Sequence, residues 1–381
     1  MLTAEGCAGR RKRLWKALPA PCDTLIVGDP SHLVYFANYV PSPFEFRTVE
    51  AGAVLILEPG GATLVADDML GPYLEKAHVD ERYAPKWYDG RHSAPYRQGH
   101  LIHSVLERMA TIPGGRIGVE LARVPSGVVE GLRASRPGLE ILDISPLIRP
   151  IRRSKDPDEV ETIRWAIRAG EAGHAAALAE MRPGLTEMEA WTLVHRAATL
   201  AIGERVGLYG DFASGPRLAT AKGGGPTSRK IEPGDLLLLD FSVVVSGYRG
   251  DFTNTFAVGA PPTPRQREMF QACVGALRAA ESVLKPGTPA REVDAAVRRH
   301  FDSLGLGRSF TTHSGHGIGL GHPEPPYFVP ESDETIVVGD VVAIEPGLYI
   351  EGEGGMRFER NYLVTRDGFE TLSNHELRIE Q

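Results

Sequence analysis

Cysteine is scarce in this chain of 381 residues: only Cys7, Cys22 and Cys273 occur. They are too few and too scattered for a disulfide framework or a thiolate metal site. Cys273 lies in an apolar helical stretch, where a small core residue is expected. No run approaches the roughly 18 apolar residues that a bilayer span requires. The basic residues near the N-terminus are followed by only a short apolar run, so a secretory signal is not expected, and a reducing, cytoplasmic setting is. Excess positive charge is also missing: 42 Lys and Arg face 49 Asp and Glu, for a net charge of −7. That balance gives no general attraction for nucleic acid or an anionic membrane, and neither is expected as a partner. The one basic run, Arg10 to Arg13, reads as the solvated face of a first helix. Short-period repeats and low-complexity tracts are absent as well.

What is present is an ordinary globular composition, 42% apolar and 24% charged, in a chain long enough for two domains. In the first half, strand-like runs (24–27, 53–57, 62–65 and 117–120) alternate with helical ones (96–109 and 125–135), which argues for an α/β domain. No catalytic constellation shows there. Trp87, Tyr88 and His92 could line a pocket but read as packed surface. The stretch from Asp143 to Lys155, with Pro146 and Pro150, reads as a connection. The expected domains are therefore 1–148 and 155–381. In the second half, helices open at Asp156-Pro157, at the capping box Thr186/Glu189, at Thr263-Pro264 with Gln266, and near Pro289. They alternate with hairpins rather than single strands, so this half is expected to be α+β.

Two of those hairpins carry paired carboxylates. The run Leu236-Leu-Leu-Leu-Asp240 to Gly250-Asp251-Phe-Thr-Asn254 reads as two strands around a turn near Val245 to Gly247. A turn centred between 245 and 246 would set Asp240 directly across from Asp251. Opposed side chains lie about 5 Å apart at Cβ, and like charges that close repel. A cation between them is the natural remedy. The second hairpin, around Glu351-Gly352-Glu353, sets Glu345 across from Glu359 in the same way. Between the two in sequence lies Gly315-His316-Gly317-Ile318-Gly319. Four carboxylates and an imidazole suit Mn²⁺, Co²⁺, Fe²⁺ or Zn²⁺ better than copper or an iron–sulfur cluster. Two such ions about 3.5–4 Å apart can share carboxylates and activate a bridging water as nucleophile. Arg357, two residues before Glu359, shares its sheet face. It could hold a ligand carboxylate or a substrate carboxylate.

At these residues the sequence resembles the M24 metallopeptidases of the pita-bread fold: methionine aminopeptidase, aminopeptidase P and prolidase. The motifs are the eleven-residue step from Asp240 to Asp251, the run around His316, Ile344-Glu345-Pro346-Gly347 and Met356-Arg357-Phe358-Glu359, and they cover roughly Lys155 to the C-terminus. The first half resembles, more loosely, the creatinase-type N-terminal domain. The fold implied is an α+β pita-bread domain preceded by a smaller α/β domain. The resemblance implies that Asp251 and Glu359 bridge two divalent ions, Mn²⁺ foremost. Asp240 then completes one site, and His316 with Glu345 the other. Glu345 would also take a proton from the attacking water, and a homodimer is the usual family state.

Three departures from the family pattern concern accessory histidines. Lys222 and the glycines Gly223 to Gly225 follow Ser214-Gly-Pro216, where a histidine is usual. Thr312 stands four residues before His316, with His313 one step later. Pro323 occupies the histidine position of the His-Glu-x-Pro segment, with His322 beside it. His313 and His322 are the candidates to recover that role, and Arg357 and Tyr327 are candidate substrate contacts. The leading expectation is hydrolysis of Xaa-Pro bonds in small peptides. The alternatives are an amidohydrolase or lyase of a small zwitterion, of the creatinase or ectoine-hydrolase kind, and a non-catalytic binding protein of the same fold.

Overall fold

The β-branched runs of the first half assemble into one six-stranded sheet. In chain order its strands are β1 (Thr24–Val27), β2 (Val54–Glu58), β3 (Gly61–Val65), β4 (Glu81–Tyr83), β5 (Arg116–Val119) and β6 (Glu140–Asp143). Their spatial order is β4-β3-β2-β1-β5-β6. β2 runs antiparallel to β1 and β3, and the remaining pairs are parallel. The helices are α1 (Ala4–Lys16), α2 (Pro30–Ala37), α3 (Gly71–Leu74), α4 (Arg97–Ala110), α5 (Ser126–Ser135) and α6 (Ser145–Ile151). Ile26, Ile56, Ile117 and Val119 of the sheet pack against Leu101, Val105 and Met109 of α4 and Val128 and Leu132 of α5. The computed structural model describes residues 1–41, 52–112, 114–219 and 224–381, and the chain divides into two units, Met1–Arg153 and Ser154–Gln381.

The stretch 143–155 carries the short helix α6, with Pro146 in its first turn, where a missing N–H costs nothing, and the division between the two units falls within it, after Arg153. One expectation for this half is corrected. The basic run is not a solvated face: Arg10 is fully buried, and its Nε donates to the Tyr35 carbonyl at 2.7 Å. Arg11 donates to the carbonyls of Phe36 and His78 at 2.8 and 2.9 Å. Tyr35 and Phe36 are in the last turn of α2, whose carbonyls have no helical partner, so the guanidinium groups are drawn inward to satisfy them.

In the second unit the helices are α7 (Pro157–Glu180), α8 (Glu187–Ile202), α9 (Pro264–Glu281) and α10 (Ala290–Ser303). The capping boxes at Thr186/Glu189 and Thr263/Gln266 form as expected. A three-stranded antiparallel sheet consists of β7 (Gly207–Ser214), β8 (Leu236–Val245) and β9 (Tyr248–Ala257). A five-stranded sheet has the order β11-β10-β12-β15-β16, from β10 (Gly315–Gly317), β11 (Glu324–Phe328), β12 (Val341–Ile344), β15 (Arg360–Thr365) and β16 (Gly368–Thr371). Between β12 and β15 in sequence, β13 (Gly347–Ile350) and β14 (Gly354–Arg357) form a separate two-stranded sheet.

Alternation along β8 sorts its side chains. Leu237, Leu239, Phe241 and Val243 join a core with Ala166 and Ala169 of α7 and Val194 of α8. Leu236 and Leu238 join the opposite core with Met269 and Leu277 of α9 and Phe358. Burying each such side chain stabilises the fold by about 2 kcal/mol. Asp240 and Ser242 continue this second row, away from α7 and α8. Gly250 in β9 lets the α7 backbone approach: a Cβ there would lie 2.5 Å from the Ile167 nitrogen.

The β8–β9 register corrects the expected pairing. Ser246 and Gly247 both take positive φ, 49° and 84°, and form a two-residue turn between Val245 and Tyr248. This is the mirror-image turn that matches strand twist. Centring it one position earlier would force positive φ on the β-branched Val245. In consequence Asp240 faces Thr253, Asp251 faces Ser242, and the two aspartates are diagonal neighbours on one face. The glutamate hairpin keeps its expected register, since Ile344 pairs with Arg360 and Gly347 with Arg357. It is not one continuous ladder, however. Glu345 and Glu359 sit at the break where the chain passes from one sheet to the other.

Candidate metal centre

The five side chains singled out in the sequence converge in the second unit. Ligand atoms of Asp240, Asp251 and Glu359 lie within 4.8 Å of one another. His316 Nε2 is 3.7 Å from Asp251 Oδ2 and 3.2 Å from Glu345 Oε1. They come from three structural sources. Asp240 and Asp251 project from one face of β8 and β9, and His316 is held in β10 between β11 and β12. The glutamate backbones at the ladder break are fastened elsewhere: Glu345 N–H donates to Ser314 at 3.0 Å and Glu359 N–H to Thr253 at 3.1 Å. Gly315, at φ 146°, permits the close strand contact beside His316, since a Cβ there would meet the Ala343 carbonyl at 2.1 Å.

A surrounding layer orients these groups. Ser242 Oγ donates to Asp251 Oδ1 at 3.1 Å, and Thr253 Oγ1 to Glu359 Oε2 at 2.7 Å. Asn361 Nδ2 donates to the Asp251 carbonyl at 2.6 Å. His316 Nδ1 faces the Gly317 carbonyl at 3.0 Å, which makes Nδ1 the protonated nitrogen and leaves Nε2 facing the carboxylates. Arg357 donates to Asp240, lies 3.5 Å from Glu345 Oε2, and donates through Nε to the Tyr349 hydroxyl at 2.8 Å. Of its two expected roles, the contacts are those of a holder of carboxylates within the centre. Ser242, Thr253, Asn361 and Tyr349 were missed in the sequence. Ser242 and Thr253 stand two residues after Asp240 and Asp251, so the strand period could have found them.

The electrostatics reflect the crowding of carboxylates in a buried space. Burial, reinforced by the charges of Asp251, Glu345 and Asp240, pushes the Glu359 carboxyl well above the ordinary carboxylate range. Burial likewise raises Asp240, and the opposing Arg357 guanidinium leaves it at about 7. Burial also acts on Asp251, but His322 and His316 pull it down to about 2. For Glu345, the hydrogen bond from His316 and the Arg357 charge outweigh burial and lower it. His316 would be lowered by burial, yet Glu345 and Asp251 carry it up to about 9. Glu359 Oε1 is buried and has no hydrogen-bond partner among the described residues. A buried carboxylate oxygen without a donor is costly, and a divalent cation fits it. Hard oxygen donors with one imidazole are the donor chemistry of such ions.

The remaining candidates line the approach. His313, His322 and Asp240 keep 44%, 29% and 19% of their side chains exposed, against 5–8% for His316, Asp251 and Glu345. Those three are therefore the groups a substrate would meet first. His313 Nδ1 is 3.6 Å from Glu345 Oε1, and burial lowers its pKa despite the opposing pull of that carboxylate. His322 Nε2 is 2.7 Å from Asp251 Oδ2. Tyr327 pairs with His316 across β10 and β11, which sets both side chains on one face. Lys222 and Gly223 lie outside the described residues.

A cluster the sequence did not reveal lies in the first unit. Asp29, His32 and Glu120 bring ligand atoms within 4.8 Å of one another. Their atoms are already committed. Asp29 pairs with Arg123 at 2.9 Å and caps α2 through Ser31, and Glu120 Oε2 accepts from the Gly28 and Asp29 N–H groups. His32 Nδ1 donates to Glu120 Oε1 at 2.5 Å, and Arg152 donates to His32 Nε2 at 3.0 Å. This is a saturated ion-pair network that fixes the start of α2. Trp87 stacks on Arg97 at 4.4 Å, and Tyr88 is exposed.

Comparison with known proteins gives the architecture a context. Residues 161–366 match the model of metallopeptidase family M24, and residues 10–154 match the creatinase/prolidase N-terminal domain. The chain is 28% identical over 359 residues to an Xaa-Pro dipeptidase of Pyrococcus furiosus, covering 94% of this chain and 95% of that protein. It is 31% identical over 350 residues to a probable dipeptidase PepE of Mycobacterium bovis, covering 87% of each. Among solved structures, an Xaa-Pro dipeptidase from Bacillus anthracis superposes with a TM-score of 0.81 at 25% identity, over 98% of this chain and all of that one.

Proposed function

The chain belongs to the M24 metallopeptidase family, and on that footing we propose that it hydrolyses Xaa-Pro bonds of small peptides at a centre for two divalent metal ions. The observation that carries the two-ion reading is the sharing of Asp251. Its carboxylate lies within ligand distance of Asp240 and Glu359 on one side and of His316 on the other. Asp240, Asp251 and Glu359 would hold one ion, and Asp251, Glu359, His316 and Glu345 the other. When bound, such a pair supplies Lewis acidity to the scissile carbonyl and a hydroxide nucleophile at neutral pH. The oxygen-rich donor set suits Mn²⁺ first, with Co²⁺, Zn²⁺ or Fe²⁺ as alternatives.

The protein's own groups do the rest. Glu345, held ionised by His316 and Arg357, accepts the proton released from the attacking water and passes it toward the leaving amine. His313, beside Glu345 and lowered in pKa, is neutral near pH 7 and donates an N–H to the tetrahedral oxyanion. Arg357 keeps Asp240 and Glu345 apart and in place. Tyr327, on the face of His316, contributes to the substrate wall. The names of the relatives support a dipeptide substrate over a longer one.

The test combines metal analysis with a panel of Xaa-Pro dipeptides, Xaa-Pro-Yaa tripeptides and matched peptides without proline. The expected outcome is about two ions per chain and cleavage confined to Xaa-Pro bonds, with both lost in Asp251→Ala. Unchanged turnover in that variant would overturn the two-metal reading. Retained metal with no cleavage of any Xaa-Pro peptide would move the substrate to a small amide.

A further inference from the structure

The family pattern places an accessory histidine where this chain has Pro323, a residue with no ligand atom, and the imidazole stands one position earlier, at His322. That shift changes what the ring touches. His322 Nε2 approaches Asp251 Oδ2 at 2.7 Å, and His316 Nε2 lies 3.7 Å from the same oxygen. Ligand atoms of Asp251, His316 and His322 all fall within 4.8 Å of one another, as three donors to a single ion must. The two rings meet edge-on, with centroids 4.8 Å apart and planes at 89°, so neither blocks the other's nitrogen.

The segment carrying His322 is anchored. Glu324 accepts from Lys155 Nζ at 2.6 Å and from the Gly321 N–H at 3.0 Å. Gly319 donates to the Gly321 carbonyl at 3.3 Å and accepts from the Arg249 N–H at 3.0 Å. A segment held this way carries its ring to an ion with less ordering cost left.

Resting on the metal-centre reading above, we infer that His322 Nε2 is itself a ligand, so that the His316 subsite is a two-imidazole site favouring Zn²⁺ or Co²⁺ over Mn²⁺. Imidazole suits those softer ions, whereas the all-carboxylate subsite of Asp240, Asp251 and Glu359 suits Mn²⁺. The two subsites thus differ in metal preference, and His322 sets the difference.

The experiment strips the full-length protein of metal and titrates it separately with Zn²⁺, Co²⁺ and Mn²⁺ by calorimetry, recording the visible spectrum of the Co²⁺ form. His322→Ala and His322→Gln are compared with wild type after their folding is checked by thermal melting. The glutamine amide can still give Asp251 an N–H but is a poor ligand for Zn²⁺. The expected result is at least tenfold weaker Zn²⁺ binding at one of two sites in both variants. A changed Co²⁺ spectrum and a less than threefold effect on Mn²⁺ should accompany it. A crystal of the Zn²⁺ form should place an ion about 2.1 Å from His322 Nε2. Restoration of wild-type affinity and spectrum by glutamine would reduce His322 to a hydrogen-bond partner of Asp251 and overturn the inference. Zn²⁺ constants within twofold of wild type in the alanine variant would do the same while leaving the two-metal reading intact. Failure of wild type to bind any ion stoichiometrically would overturn both.

Discussion

Mild acid should destabilise the second unit through two histidines that take no part in the centre. His174, in α7, and His375 lie with ring centroids 5.6 Å apart, packed against Phe252 at 5.0 and 4.3 Å. His174 Nε2 and both ring nitrogens of His375 are buried without a hydrogen-bond partner among the described residues. Burial, helped by the Arg378 charge, lowers His174 to about 4. Burial, then Arg360 and His174, lowers His375 to about 2. Glu171, 4.0 Å from His375 Nδ1, pulls the other way and is outweighed. The unfolded chain binds these protons near pH 6.5. The stabilisation is therefore complete above about pH 6.5 and is lost as pH falls from there toward the folded values. Each histidine forfeits about 1.4 kcal/mol per pH unit in that window. From pH 7 to 4.5 the pair costs about 5 kcal/mol, a large share of an ordinary domain's stability. Urea unfolding at both pH values, in wild type and in a His174→Leu, His375→Leu double variant, measures it. The pH-dependent loss should be about 5 kcal/mol smaller in the variant. An equal loss in both proteins would refute the reasoning, whatever the variant's absolute stability.

Three further outcomes follow from contacts in the same unit. Lys155→Met should destabilise by about 3–5 kcal/mol, because it removes the ammonium that pairs at 2.6 Å with the mostly buried Glu324 carboxylate. A second change, Glu324→Leu, should recover most of that loss, and a thermal shift series decides it. Gly250→Ala should cost about 3 kcal/mol, since the added methyl meets the α7 backbone rather than a side chain that can turn aside. A wild-type melting temperature would contradict that packing. Arg357→Leu should weaken metal binding or turnover by about 10- to 100-fold, as loss of an orienting partner does. An effect confined to KM would instead return Arg357 to the role of substrate contact.

The parts legible in the sequence were those set by short-range periodicity. Alternation in Leu236 to Val245 placed β8, and the capping residues at Thr186 and Thr263 placed α8 and α9. The Glu345–Glu359 pairing followed from the symmetry of the flanking runs. The Asp240–Asp251 pairing did not, because the register depends on which two residues accept positive φ, and symmetry alone chose the wrong centre. The division of the glutamate hairpin between two sheets left no trace in composition. The Asp29–His32–Glu120 network was invisible for another reason: the parallel pairing of β1 with β5 joins residues some ninety positions apart. The burial of Arg10 was missed because a charge run says nothing about which carbonyls lie beneath it.

The break in the glutamate hairpin has a consequence for how this scaffold can diversify. Glu345 and Glu359 are fixed from the inner side, where β12 and β15 pair within a five-stranded sheet. Beyond them, β13 and β14 form a separate arm tipped by Glu351, Gly352 and Glu353. Residues inserted in matched numbers at that tip lengthen the arm without altering the spacing of the two glutamates. The rim can thus be redrawn by evolution, or by a designer, while the carboxylates behind it stay where they are.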